Sequence, residues 1–107
     1  MADRLRRLPE SRLNKVAAAG RELAQALADA AAGIEGRDAS TPPADCAVPV
    51  LGVFAVADQV AVTAHDLSAA AGGLEPATPV WWKGVRKPFE DVLEALAGQV
   101  ERVRAET

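Results

Sequence analysis

Apolar residues recur at steps of three and four along two long stretches of this chain, and that spacing constrains the fold more than any other feature. In the first stretch Leu13, Val16, Gly20, Leu23, Leu27, Ala30 and Ile34 advance by alternating threes and fours, which lines them along one helix face. Pro9 suits a first helical turn, where a missing N–H costs nothing, and Glu10 sits near the positive end of the helix dipole. Gly33 and Gly36 predict the stop. In the second stretch Val50, Val53, Ala57, Val60, Ala64, Leu67 and Ala71 repeat the pattern after Pro49, and Gly72–Gly73 ends it. The valines alone would suit a strand. Consecutive apolar residues at 50–51, 53–57 and 60–62 break strand alternation, however, and the apolar segment exceeds strand length.

A third pattern follows Pro88: Phe89, Leu93, Leu96, Val100 and Val103, with Val92 alongside. Glu90 and Asp91 lie near its positive end and Arg102 and Arg104 near its negative end. Residues 37–47 and 74–86 carry prolines and read as loops. The chain holds 24 alanines but only four aromatic residues, so its core must be Ala, Val and Leu, which favours close-packed helices over a β-sandwich. The expected fold is all-α: a three-helix bundle with helices at about 9–35, 49–71 and 88–105 in one domain spanning 1–107. Gly20 and the seam alanines allow close approach of the helix axes.

Several function classes are excluded by residue type. One Cys makes no internal disulfide, and one His with one Cys cannot supply the four N or S ligands of a structural zinc site. No Gly-rich phosphate loop and no Glu-x-x-His di-iron pattern occurs, so neither a metal nor a cofactor is expected. The uncharged run 46–57 is too short to span a membrane, and no apolar segment follows the charged start MADRLRRLPESR. The expectation is a cytoplasmic chain with no membrane partner. Net charge is −3 but uneven: +4 over residues 1–21 and −7 over residues 22–80. A basic end without a domain-wide basic surface predicts no nucleic-acid partner.

The candidate chemistry is thin. A helix N-terminus after Cys46 would favour its thiolate, but Asp45 opposes this, and the expected role is an inert thiol. His65 has Asp58 seven residues before it and Ser68 three after it on one helix, with neither a nucleophile elbow nor an oxyanion hole. Glu90, Asp91 and Glu94 read as a solvated face paired with Arg86 and Lys87. No catalytic residue is expected. Trp81 and Trp82 read as lids over the open end of the bundle, with partner contact as the competing role.

Trp82-Lys83-Gly84 forms a Trp-x-Gly tripeptide, and in this respect a helical chain of this length is similar to the small helical-hairpin substrates of type VII secretion. That family carries the motif near mid-chain between two long helices, with a C-terminal Tyr-x-x-x-Asp/Glu signal. Here the tripeptide precedes the last helix, and the chain has no Tyr. The resemblance implies a secreted helical substrate as a minor alternative.

A second stripe on the middle helix, Leu51, Ala55, Asp58, Val62, His65 and Ala69, lies about 100° round from the first, and four of its six members are apolar. A three-helix chain has little left to cover it, so a homodimer is expected. In an antiparallel pair centred between residues 61 and 62, Asp58 would face His65 of the second copy. The functional expectation is a non-enzymatic interaction or accessory module that acts as a homodimer and meets an unidentified protein partner. The alternative is a small-ligand-binding or weakly catalytic bundle with a pocket under Trp81 and Trp82 and Asp58, His65 or Asp66 as its polar groups.

Overall fold

The three expected helices are present in the computed structural model, which describes residues 10–44, 47–48 and 55–106. They are α1 (Glu10–Glu35), α2 (Val56–Ala71) and α3 (Phe89–Glu106). The predicted starts at Pro9 and Pro49 lie outside the described residues. Gly36 follows α1 directly, whereas Gly33 is an interior, buried position of that helix and does not end it. After α2 the expected stop holds: Gly72 donates its N–H to the Ala69 carbonyl at 3.4 Å, and Gly73 takes a left-handed φ of 75° that few side chains tolerate.

The all-α expectation needs correction at residues 79–88. The predicted loop contains an antiparallel hairpin, β1 (Pro79–Trp82) and β2 (Val85–Pro88), with Trp81 opposite Arg86 and Trp82 opposite Val85. Lys83 and Gly84 connect the strands, and both have positive φ, 50° and 81°. Positive φ at both central residues matches the twist of a two-residue hairpin. Pro79 and Pro88 pair with each other at the open end of the ladder, where a missing N–H does least harm. Val80 and Trp82 point into the core while Trp81 and Pro79 point away, the two-residue alternation of a strand.

α1 is the central element. It packs against α2, α3 and β1, while the backbones of α2 and α3 barely approach each other. The chain returns along α1 before α2 begins: the Val48 N–H donates to Gln25 Oε1 at 2.8 Å, and Val56 then rests on Gly20. From there α2 runs in the same direction as α1, because only five residues separate Leu74 from Val80, and the next residue, Trp81, lies on Gly33 near the far end of α1. α3 runs back the other way, so that the Arg12 Nε donates to the Glu106 carbonyl at 3.0 Å.

Two close approaches set this arrangement. A Cβ at Gly20 would strike the Val56 side chain, which is why a glycine stands at the crossing of α1 and α2. A Cβ at Gly33 would strike the Trp81 carbonyl, so Gly33 lets the strand backbone lie directly on the helix. Leu23, Leu27, Ile34, Val80, Trp82, Phe89, Val92 and Leu96 gather into one core around these contacts.

Two predicted seams are turned about their helix axes. On α2 the buried residues are Val56, Gln59, Thr63 and Leu67, and Ala64 is exposed. The Thr63 hydroxyl donates back to its own helix, lying 2.9 Å from the Gln59 carbonyl and 3.1 Å from that of Val60, so its burial leaves no orphan donor. On α3 the buried row is Phe89, Val92, Leu96 and Val103, while Leu93 and Val100 are 44% and 37% exposed. The hairpin base fixes this rotation. The Phe89 N–H donates to the Thr78 carbonyl at 2.9 Å and the Glu90 N–H to the Pro76 carbonyl at 2.8 Å, which occupies orphan donors of the first turn.

Candidate interaction faces

From Asp58 onward the second stripe of α2 lies in solvent. Val62 is 61% exposed, the most exposed large apolar side chain among the described residues, and Asp58, His65 and Ala69 are exposed beside it. Ala55, at the start of the stripe, is half-buried, and Leu51 lies outside the described residues. Asp58 and His65 share this outward face, and Asp66 is likewise exposed.

The two tryptophans separate. Trp82 is 7% exposed and belongs to the core, with the Lys83 ammonium 5.3 Å from its ring centre. Trp81 is half-buried and carries the Arg86 guanidinium 4.4 Å above its ring, a cation–π contact across the hairpin. Its indole N–H points at the Ala39 carbonyl at 3.3 Å. Arg86 also donates to the Arg37 carbonyl at 2.9 Å and the Ala39 carbonyl at 2.7 Å. The Trp81–Arg86 pair therefore ties the hairpin to the loop that leaves α1. Sequence reasoning missed this clamp because Arg86 becomes a cross-strand neighbour of Trp81 only once the hairpin forms.

A cleft of about 70 Å³ opens beside Trp81, lined by Asp29, Pro42, Pro43 and Lys83 among others. The Gln25 amide donates to Asp29 at 2.9 Å and so orients that carboxylate. None of Asp58, His65 or Asp66 lines the cleft. Its volume is well under the roughly 300–1,000 Å³ of ordinary small-molecule sites. Trp82-Lys83-Gly84 forms the hairpin tip and not a turn between helices. Cys46 and Asp45 lie outside the described residues.

A further apolar face went unrecognised in the sequence. Leu93, Ala97 and Val100 lie exposed along α3, with Glu90 and Arg104 continuing the same row at either end. The spacing 89, 93, 96, 100, 103 and the spacing 89, 92, 96, 99, 103 both suit a helix seam. The second contains polar Gln99, so the first row is the more apolar of the two although the second is the one buried.

Among the described residues no helix is long and apolar enough to cross a membrane, and no three His, Cys, Asp or Glu side chains gather as a metal site. The chain matches no family model, no curated protein and no solved structure.

Proposed function

We propose that this chain is a non-enzymatic interaction or accessory module of the cytoplasm that acts as a homodimer, meeting its second copy through the outer face of α2. The observation that carries the reading is Val62, an apolar side chain 61% exposed between Asp58 and His65 on one helix face. Under a two-fold axis near residues 61 and 62 the stripe is self-complementary: valine covers valine, and Asp58 of each copy faces His65 of the other. Isologous pairing of this kind is the commonest route to a homodimer. Trp81, held by Arg86, offers an unidentified protein partner a fixed aromatic surface among the described residues.

Static light scattering of the parent and of Val62→Glu tests the α2 pairing. The parent has the heavier mass, and the variant loses at least the α2 contact because it places two carboxylates against each other. A Val62→Glu variant of unchanged mass at every concentration removes α2 as the interface. Fractionation of native cells tests the compartment: recovery in the culture medium would overturn the cytoplasmic placement and favour the secreted-substrate reading.

A further inference from the structure

The cleft beside Trp81 is assembled from three elements. α1 gives Asp29, the loop after it gives Pro42 and Pro43, and the hairpin gives Trp81, Lys83 and Gly84. Asp29 is half-buried, and its carboxylate is held in place. The Gln25 amide oxygen accepts the Val48 N–H at 2.8 Å, which leaves the amide nitrogen to donate to Asp29 Oδ1 at 2.9 Å. A neutral amide does not balance the carboxylate charge, and no described Lys, Arg or His forms an ion pair with Asp29. The neighbouring cations are engaged elsewhere. The Arg37 guanidinium donates to the Ile34 carbonyl at 2.8 Å, and Arg86 donates to the Arg37 and Ala39 carbonyls while covering Trp81. Lys83 lines the cleft, but its ammonium stands 5.3 Å from the ring centre of Trp82, which belongs to the core and not to the lining.

We propose that this cleft receives the ammonium of a lysine side chain from a protein partner, with Asp29 as the counter-charge. Oδ1 already accepts from Gln25, and Oδ2 carries no hydrogen bond from the described residues. A compact ammonium needs one such acceptor, whereas the fork of a guanidinium pairs best with both oxygens of a carboxylate. A volume of about 70 Å³ has room for a few water-sized groups, enough for an ammonium and its last methylenes but not for a ring system. The prolines and the Trp81 indole give the methylenes apolar walls, and lysine packs its stem on apolar surface while its head seeks charge. A carboxylate partly withdrawn from water also gains more from a counter-charge than a fully exposed one does. This assignment rests on the reading of Trp81 as a partner surface and is independent of the α2 pairing.

Titration of the full chain, followed by the nuclear magnetic resonance signals of its amide and indole N–H groups, tests the site. The probes are blocked Gly-Gly-X-Gly-Gly peptides with lysine, norleucine or arginine at X, and n-butylammonium. The lysine peptide shifts the Trp81 indole and Gly84 N–H signals saturably. The norleucine peptide, with the same stem and no charge, binds at least about tenfold more weakly. Asp29→Asn weakens the lysine peptide by the same factor while circular dichroism retains the helix signal. The norleucine comparison uses the parent chain, so it stands whatever the substitution does to folding. Equal binding of the lysine and norleucine peptides overturns the ammonium site and leaves Trp81 as a partner surface. So does equal binding of the lysine peptide by a folded Asp29→Asn chain and the parent. An arginine peptide that binds as tightly overturns the choice of ammonium over guanidinium. n-Butylammonium binding as tightly as the lysine peptide overturns the protein source in favour of a free amine. No shift of the Trp81 signals with any peptide overturns both the site and the partner reading of Trp81.

Discussion

At the hairpin end of the molecule Ile34, Val80 and Trp82 are buried together in one core, and the strand backbone is tied down by Gly33, Trp81 and Arg86. Along the outer sides of α2 and α3, Val62, Leu93 and Val100 stand in solvent, with no described element covering them. Both regions are rich in apolar residues on helical or strand spacing, so hydrophobicity alone does not distinguish them. What separates them is whether backbone elements come close enough to enclose the side chains. At the hairpin end a glycine in α1 and a tight turn bring backbone against backbone. On the outer sides each helix has already turned another row toward α1.

Substitutions in both regions probe this contrast. The largest effect is expected for Trp82→Ala, which empties a core position and should lower stability by about 3–5 kcal/mol in urea unfolding. Trp81→Ala, at a half-buried site, should cost clearly less, and equal losses at the two positions would erase the distinction drawn between them. Gly33→Ala comes next, with an expected loss of about 1–3 kcal/mol from forcing the strand off the helix. Alanine is the better helix former by about 1 kcal/mol, so a variant more stable than the parent would show that the strand does not lie on Gly33. Arg86→Ala removes two hydrogen bonds to loop carbonyls and the cover of Trp81; because the guanidinium is exposed, a loss of about 1 kcal/mol is expected, together with a red shift of tryptophan emission. The smallest effect is expected on the outer faces. Leu93→Ser, measured at concentrations low enough to keep chains apart, should change unfolding by no more than about 0.5 kcal/mol. A core-sized loss there would mean that Leu93 is covered within the single chain.

The helices were legible in the sequence because their spacing is long and regular, and the ends of α1 and α2 followed from Gly36 and Gly72–Gly73. The hairpin was not. Its strands have four residues each, its turn is Lys-Gly and not Asn-Gly or Asp-Gly, and prolines flank it on both sides, which reads as loop. The tertiary context overrides those local signals: β1 gains burial on α1 that no local pattern records. Helix rotation was equally hidden. Two rows satisfy the helical period on α3, and polar Gln59, Thr63 and Gln99 sit in or beside the rows that turn inward. Of the candidate site, the outward stripe of α2 was visible as a second heptad row. The α3 stripe was visible only as residues assigned to the core, and the Trp81–Arg86 clamp needed the strand register.

The proposed role of the exposed apolar row on α2 is contact between copies of this chain. Light scattering of the unaltered protein across a dilution series in the micromolar range tests that role without any substitution. A mass of two chains or more at the upper end, falling toward one chain on dilution, is the expected result. A mass of one chain at every concentration would contradict it.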